Sequence, residues 1–296
     1  MSKVGVVIAT YKREKELYNA LESLAKQSYK DFCVVVVDDS ADDVWNKKVE
    51  AIEKMVLKDF PDMQVSFIVN SENQGSAKSR NIGIEALDAE YITFLDDDDV
   101  YLENKIERQL KFMEDGGLDY TITDLMLYNE SDRLIDKRIR NYITDFSVDK
   151  LRETHLKHHL TGTDTMMFKR DYLMKIGCFA PIDVGDEFYL MERAIDGEGK
   201  MGYLPGCDLK AYVHTGDGGL SSGESKIKGE NDLFKYKQTF FDKIGKKTVR
   251  YIKMRHYAVL AFAEIRRHNF GAFLKNLILS FVAAPFQAIK LYLFER

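Results

Sequence analysis

Apolar and polar stretches alternate along the first hundred residues in a way that predicts strands and helices in turn. Four apolar runs, most of them rich in valine and isoleucine, have the length of buried strands; they are Val4–Ala9, Phe32–Val37, Val65–Val69 and Tyr91–Leu95. Between them, apolar positions recur at spacings of three and four, as at Leu17, Leu21 and Leu24, which predicts helices. This alternation predicts an α/β fold with a doubly wound, mostly parallel sheet flanked by helices.

The pattern is less regular between about residues 100 and 215. It predicts a helix at Leu102–Met113, strands at Tyr120–Thr123 and Met166–Phe168, and a further helix after Gly185. Residues 216–229 are rich in Gly, Ser and Lys, which predicts a mobile loop. We therefore expect a first domain at residues 1–230 and a C-terminal helical tail at residues 231–296.

The tail combines a helical pattern with an excess of positive charge. Five apolar positions are predicted to share one helix face, namely Leu274, Leu277, Ile278, Phe281 and Val282. From Asp242 to the end there are 11 Lys or Arg against 3 Asp or Glu, in a chain whose net charge is −5. A basic amphipathic helix predicts peripheral contact with an anionic membrane surface. The alternative is that this face packs on the catalytic body or on a second copy, as in a homodimer. The basic residues expected near the headgroups are Lys243, Lys246, Lys247, Arg250, Lys253, Arg255, Arg266 and Arg267.

Composition narrows the class of protein. With 45% hydrophobic and 31% charged residues and only 4 Pro, the chain is predicted to be globular, and disordered or collagen-like chains are excluded. The acidic net charge argues against a general nucleic-acid binder. Three distant cysteines predict a reducing compartment. No apolar stretch reaches the roughly 18–20 residues of a membrane span. We therefore expect a cytoplasmic protein. Contact of the tail with the membrane would place the protein at the inner face of the membrane.

Polar groups follow three of the predicted strands at the points where the strands end. They are Thr10–Arg13, Asp38–Ser40 and Asp96–Asp99. Because the carboxyl ends of parallel strands meet at one edge of the sheet, where ligands bind, these groups are predicted to form a site. Four consecutive carboxylates repel one another, and a divalent cation such as Mg²⁺ or Mn²⁺ would relieve that repulsion. The alternative is a solvated acidic turn that caps the helix expected near Tyr101.

Other polar residues leave more than one interpretation open. Asp39 either caps the next helix or accepts a hydrogen bond from a ribose hydroxyl or a base N–H. Arg80 lies in the first turns of a predicted helix, where a cation opposes the helix dipole, and a bound phosphate or a salt bridge to the acidic loops would relieve that cost. The cluster of His155, His158 and His159 is expected on an exposed helix face. His214 precedes a glycine-rich loop, where a ligand role is open.

Four motifs in order resemble the family 2 inverting glycosyltransferases of the GT-A fold. They lie at Val4–Arg13 (V-x-V-V-I-A-T-Y-x-R), Val34–Ser40 (V-V-V-V-D-D-S), Asn73–Gly83 (N-x-G-x-x-x-x-R-N-x-G) and Tyr91–Asp99 (Y-I-T-F-L-D-D-D-D). The resemblance covers about the first 110 residues strongly and continues loosely to about residue 220. It implies a nucleotide-diphosphate-sugar donor, with a UDP-sugar favoured, and a divalent metal, Mn²⁺ or Mg²⁺.

The resemblance also implies roles for individual residues. The nucleotide sugar would contact Thr10, Tyr11, Arg13, Asp39, Asn73, Gly75, Arg80, Asp96 and Asp97. Asp98 is the preferred metal ligand, with Asp96 and His214 as further ligands. The general base would be one member of the Asp186-Glu187 pair. Glu187 is preferred, because gapless placement puts it where the family usually has Asp.

The chemistry implied is direct displacement at the anomeric carbon by an acceptor hydroxyl. A carboxylate takes the hydroxyl proton and a cation stabilises the departing diphosphate, so the anomeric configuration inverts. The acceptor would be a glycan or a lipid-linked sugar in cell-surface polysaccharide synthesis. One alternative is a sugar nucleotidyltransferase, although Thr10–Arg13 lacks the glycines such enzymes usually carry there. The other is a non-catalytic nucleotide-sugar-binding module, against which the Asp186-Glu187 pair argues.

Overall fold

A computed structural model describes residues 2–182, 185–213 and 223–294. The chain divides into two units, each with its own internal contacts. The first unit is formed by Met1–Val148 and Leu160–His214, and the second by Asp149–His159 and Thr215–Arg296. The prediction of a loop at residues 216–229 is wrong for residues 223–229, because a helix begins at Gly223. Residues 216–222 lie outside the described ranges. Lys and Glu in this stretch are good helix formers, which outweighs its glycine and serine content.

Strands build two sheets in the first unit. They are β1 (Ser2–Thr10), β2 (Phe32–Asp38), β3 (Gln64–Val69), β4 (Ala89–Phe94), β5 (Val100–Tyr101), β6 (Tyr120–Thr123), β7 (Leu125–Asn129), β8 (Leu134–Arg138), β9 (Met166–Lys169), β10 (Met201–Leu204) and β11 (Leu209–Val213). The larger sheet has the order β10-β6-β9-β4-β1-β2-β3, and every pairing in it is parallel except those of β9 with β4 and β6. The smaller sheet, β5-β11-β7-β8, is not predicted from the sequence, because β5 has two residues and β8 is mostly exposed.

Eleven α-helices are found among the described residues. They are α1 (Lys15–Ala25), α2 (Asp43–Asp59), α3 (Ser76–Ala86), α4 (Lys105–Gly116), α5 (Val148–His158), α6 (Arg170–Lys175), α7 (Asp186–Asp196), α8 (Gly223–Gln238), α9 (Lys246–Arg266), α10 (Phe270–Ala283) and α11 (Pro285–Phe294). No helix among the described residues is both long and apolar enough to span a bilayer.

The main sheet is packed on both faces, as its near-continuous apolar strands predict. Val4, Val6 and Ile8 of β1 are fully buried in a cluster that includes residues of α1, α2 and α4. On the other face, α3 approaches β1 so closely that a Cβ on Gly83 would lie 2.5 Å from Cγ1 of Val7. Gly75, directly before α3, donates its N–H to Asp39, directly after β2, so the N-terminal end of α3 lies at the end of β2.

The second unit consists of α8–α11 together with residues 149–159, most of α5. The expectation that the histidine cluster lies on an exposed face is wrong for His155, which is completely buried. His155 lies one turn after buried Leu151 and beside buried Leu156, so it falls on the apolar face of α5. The helical character predicted for the tail is confirmed by α8–α11.

Candidate active site

Strand register brings the polar strand ends to one edge of the main sheet. Thr10 pairs with Asp38 across β1 and β2, and Val7 pairs with Phe94 across β1 and β4. Three residues further along, the hydroxyl of Thr10 donates a 2.7 Å hydrogen bond to Oδ2 of Asp97, and the Tyr11 N–H donates to the same oxygen at 3.2 Å. The three predicted segments therefore meet, as expected for parallel strands.

Asp39 holds the loop that precedes α3. Its Oδ1 accepts hydrogen bonds from Asn70 Nδ2 at 2.8 Å and from the Gln74 N–H at 2.7 Å, and its Oδ2 accepts from the Gly75 N–H at 2.8 Å. Gly75 has a φ of +80°, which L side chains rarely adopt. The side chain that caps α2 is Asp42, so the capping alternative for Asp39 is wrong. A carboxylate oxygen can accept two hydrogen bonds, so Oδ2 keeps the capacity to accept one from a ligand.

Asn73, the remaining predicted residue of this loop, donates from Nδ2 to the backbone oxygen of Asp39 at 2.9 Å. Asn70 was not predicted as a site residue, yet it links Asp39 to α3 through a 3.1 Å hydrogen bond to Ser79 Oγ. Both asparagines therefore fix the shape of the loop beside Asp39.

Arg80 connects two acidic segments that are far apart in the sequence. Its Nη1 lies 2.7 Å from Oδ2 of Asp186, and its Nη2 lies 2.7 Å from Oδ1 of Asp96. The guanidinium also lies over the ring of Phe179, 5.4 Å from its centroid. Of the two ways of relieving the charge of Arg80, the structure shows the salt bridge to acidic segments.

The four consecutive aspartates differ in their shortest contacts, and Arg13 lies near both Asp97 and Asp98. Asp96 pairs with Arg80, Asp97 with Thr10, and Asp98 with Nη2 of Arg13 at 2.8 Å. Asp99 is buried and accepts the Tyr212 N–H at 2.7 Å. The alternative in which these residues cap the next helix is wrong, because β5 follows them and α4 begins only at Lys105. Burial, reinforced by the neighbouring Asp98 carboxylate, raises the pKa of Asp97 to about 7.

Asp164 is a site residue that the sequence reasoning missed. It lies in a short 3-10 turn, Thr163–Thr165, directly before β9. Strand β9 runs antiparallel to β4, with Thr93 opposite Met167. Three residues after Thr93 and three residues before Met167, Asp96 and Asp164 therefore lie opposite each other, and Oδ1 of Asp164 accepts the Asp96 N–H at 2.8 Å. Burial, together with the charge of Asp96, raises the pKa of Asp164 to about 7.

Carboxylate oxygens of Asp96, Asp99 and Asp164 all lie within 4.8 Å of one another. An all-oxygen donor set of this kind suits Mg²⁺ or Mn²⁺, so the residues present fit the divalent metal that the sequence resemblance implies. Asp98 lies beside this group, with its carboxylate against Arg13. His214, the other predicted ligand, lies outside the described residues.

The predicted acidic pair lies at the beginning of a helix, as expected. Asp186 is the first residue of α7 and is buried, whereas Glu187 is half-buried. Ser76 Oγ lies 3.5 Å from the Asp186 oxygen that Arg80 contacts. Burial, together with the charge of Asp186, raises the pKa of Glu187 to about 8. A carboxyl group whose pKa lies near the working pH is suited to proton transfer.

Lys105 is a completely buried cation that was also missed. Its Nζ donates to Gln109 Oε1 and lies 4.6 Å from the ring centroid of Tyr101. Burial lowers the pKa of Lys105 to about 8, and the charge of Asp164 opposes that shift. Gln109 in turn donates to the backbone oxygen of Thr165 at 2.9 Å, so this network supports the turn that carries Asp164.

Proteins of related sequence match this chain over part or most of its length. An uncharacterized glycosyltransferase of Methanocaldococcus jannaschii, MJ1057, is 29% identical over 225 residues, which cover 74% of this chain and 73% of the relative. The Escherichia coli UDP-Glc:alpha-D-GlcNAc-diphosphoundecaprenol beta-1,3-glucosyltransferase WfaP is 30% identical over 138 residues, 46% of this chain and 48% of WfaP. The chain thus spans about half the length of WfaP.

Solved structures show the same fold at low identity. TarS of S. aureus superposes with a TM-score of 0.63 and 17% identity, over 98% of this chain and 50% of TarS. The mannosyltransferase PcManGT from Pyrobaculum calidifontis superposes with a TM-score of 0.62 and 16% identity, over 100% of this chain and 81% of PcManGT. Both likenesses support the GT-A fold. The sequence model described as Glycosyl transferase family 2 matches residues 5–177, more than half of the chain. This protein therefore belongs to glycosyl transferase family 2.

Proposed function

We propose that this glycosyltransferase moves a sugar from a nucleotide diphosphate to an acceptor hydroxyl, with inversion at the anomeric carbon and with a divalent metal. The observation that carries the proposal is the chain of ion pairs from Asp186 through Arg80 to Asp96. It holds the acidic pair of α7 beside the carboxylates at the end of β4. One site thus contains a candidate base and a group of carboxylates suited to a cation, which are the two elements that direct displacement needs.

Glu187 is the proposed general base. Arg80 lies 2.7 Å from the Asp186 carboxylate and holds it in place. Glu187 is more accessible than Asp186, and its raised pKa makes it a stronger proton acceptor once it is deprotonated. We propose that Asp186 orients Arg80 while Glu187 accepts the proton of the acceptor hydroxyl. No side chain is then required to form a covalent bond to the sugar.

Asp96 and Asp98 are the proposed metal ligands. A cation that also contacts a diphosphate must be reached from solvent, and the side chains of Asp96 and Asp98 are 36% and 17% exposed. Asp99 and Asp164 are buried in the same carboxylate cluster as Asp96, and Asp164 accepts the Asp96 N–H, so these two residues are proposed to hold Asp96 in position rather than to contact the diphosphate-bound cation from solvent. When bound, the cation would stabilise the negative charge that develops on the departing diphosphate.

A UDP-sugar is the proposed donor. Tyr11 is half-exposed beside the end of β1 and offers a ring on which a base can stack, and Oδ2 of Asp39 can accept a base N–H. The name of WfaP gives UDP-Glc, and TarS residues 1–349 have been solved with UDP-GlcNAc and with UDP. PcManGT has been solved with GDP-Man and Mn²⁺, so a GDP-sugar belongs in any donor test.

A lipid-linked or glycan acceptor in cell-surface polysaccharide synthesis is proposed, with the helical tail in peripheral contact with the membrane. The support is the name of WfaP, which gives a diphosphoundecaprenol-linked acceptor, together with the excess of Lys and Arg in the tail.

The test is a donor screen of UDP- and GDP-sugars with the purified full chain, with Mn²⁺ and with a chelator. We expect metal-dependent release of the nucleotide diphosphate from at least one donor. Glu187→Gln should lower kcat about 10²–10⁴-fold, and Glu85→Gln, an exposed glutamate on α3, should leave it unchanged. Donor binding without any turnover would contradict the proposal and favour a binding module.

A further inference from the structure

Seven large apolar side chains are exposed on α10 and α11. They are Phe270, Leu274, Ile278, Val282, Phe286, Ile289 and Leu293, with Val282 72% and Phe286 83% exposed. The first four recur every four residues along α10, and the last three continue at spacings of three and four on α11. Both sets therefore form stripes along their helices. An exposed apolar surface of this extent marks an interaction site.

The opposite sides of the same helices are packed against α9. Ser280 donates to the backbone oxygen of Met254 at 3.0 Å, and Ala284, Ala288 and Leu291 share a buried cluster with Met254 and Ala258. The single apolar face predicted from the sequence is thus divided, because Leu277 and Phe281 are partly buried whereas Leu274, Ile278 and Val282 face solvent. The exposed stripe is not needed to hold α10 and α11 on α9.

Charge indicates which kind of partner suits the stripe. Between Phe270 and Phe294 the charged residues are Lys275 and Lys290, both exposed, and there is no Asp or Glu. An exposed apolar surface on two helices whose charged residues are both lysines complements an anionic lipid surface. A second copy of the chain would bring lysines against lysines.

Part of the basic sequence on which the membrane contact was first predicted is engaged inside the unit. Arg250 donates to the backbone oxygen of Ala283 at 3.0 Å, and Arg267 pairs with Glu224 at 2.7 Å and with Glu264 at 3.7 Å. Arg250 and Arg267 are thus engaged in contacts within the second unit. The exposed apolar surface of α10 and α11 is therefore a better candidate for lipid binding than the charges of these two arginines.

We propose that α10 and α11 insert this apolar stripe into the headgroup region of an anionic bilayer, with Lys275 and Lys290 contacting lipid phosphates. The inference deepens the proposed peripheral membrane contact, on which it rests, by assigning the contact to these two helices and to apolar insertion. Binding driven in this way should persist at salt concentrations that remove purely electrostatic adsorption.

Flotation of the purified full chain with lipid vesicles tests the proposal. The wild type should float with phosphatidylcholine vesicles that contain about one third phosphatidylglycerol, and it should remain bound in high salt. Combining Leu274→Ser, Ile278→Ser and Phe286→Ser should lower the partition coefficient at least about tenfold. A matched control, Val44→Ser with Met55→Ser and Leu57→Ser, removes exposed apolar side chains of α2 and should float like the wild type.

Two further measurements separate the outcomes. Lys275→Gln with Lys290→Gln should remove the preference for anionic over neutral vesicles. Trp45 is the single tryptophan, so Phe286→Trp in a Trp45→Phe background reports on α11, and its emission should shift to shorter wavelength when vesicles are added. Unchanged flotation of the triple serine variant would overturn the inference. It would also be overturned if the wild type is dimeric and does not float while the triple serine variant is monomeric, because the stripe would then be a dimer interface.

The proposed glycosyl transfer is tested separately. Donor turnover in the absence of lipid should be the same in the wild type and in the triple serine variant. If the wild type floats but turns over no nucleotide sugar, the glycosyl transfer proposal fails while the lipid contact stands.

Discussion

Replacing Asp39 by asparagine is the substitution whose consequence follows most directly from the structure. The Asp39 carboxylate is 3% exposed and accepts three hydrogen bonds, from Asn70, from the Gln74 N–H and from the Gly75 N–H. An amide has one oxygen. If that oxygen keeps Asn70 and Gln74, the new NH₂ group faces the Gly75 N–H, so two donors meet across a distance that was 2.8 Å.

The magnitude can be worked out from those three contacts. A buried N–H left without an acceptor costs about 1–3 kcal/mol. Each of the other two hydrogen bonds changes from a charged to a neutral acceptor, which weakens it by about 0.5–1 kcal/mol. Asp39→Asn should therefore lower the free energy of unfolding of the first unit by about 3 kcal/mol, a large part of the roughly 5–15 kcal/mol of a typical domain.

Urea denaturation followed by tryptophan fluorescence measures this loss. Trp45, the single tryptophan, lies in α2 of the first unit, so its signal reports on that unit. The matched control is Asp42→Asn, because Asp42 caps α2 through one oxygen and asparagine caps equally well, so its effect should stay within about 0.5 kcal/mol. If Asp39→Asn is no more destabilising than Asp42→Asn, the assignment of Asp39 as the residue that holds the loop is refuted.

Three further predictions address the base, the metal and the packing of α3. Because Glu187 accepts a proton only when deprotonated and its pKa is about 8, kcat/KM should rise with pH and level off above about 8; a fall through that range would contradict its role as base. Asp98→Asn should weaken Mn²⁺ binding, followed by electron paramagnetic resonance of the free ion, about tenfold or more, whereas Asp62→Asn at an exposed site should not; equal affinities would remove Asp98 from the metal site. Gly83→Ala should destabilise the first unit by about 1–3 kcal/mol in urea, because its Cβ would lie 2.5 Å from Val7; wild-type stability would show that α3 can move away from β1.

Much of the main sheet could be predicted because its strands are short apolar runs followed by polar residues. Val4–Ala9, Phe32–Val37 and Tyr91–Leu95 all lie within or overlap observed strands, and parallel pairing alone brings Thr10 and Asp97 together. The Asp186-Glu187 pair was found through the family resemblance, which implies an acidic pair near the start of a helix, and the structure places the pair at the beginning of α7.

Asp164 could not be predicted in this way, since its place depends on the orientation of β9. The run Met166–Phe168 is visible as a strand, but nothing in it shows that it pairs antiparallel to β4. Only the antiparallel register brings the residue before β9, rather than the residue after it, to the edge where Asp96 lies. Similarly, the pattern of α10 identifies apolar positions but does not show which of them another helix covers. The exposure of Val282 and the partial burial of Phe281 therefore depend on α9 and α11.

A crystal structure of the full chain with UDP and Mn²⁺ is the most direct test of the central claim, that acidic residues from distant parts of the chain form one nucleotide-sugar site. We predict that Mn²⁺ is bound by Asp96 and Asp98, that the diphosphate lies near Arg80, and that the uracil ring lies beside Asp39. Nucleotide or metal bound away from the carboxyl ends of β1 and β4, with Asp39 and Asp98 in contact with neither, would contradict the account.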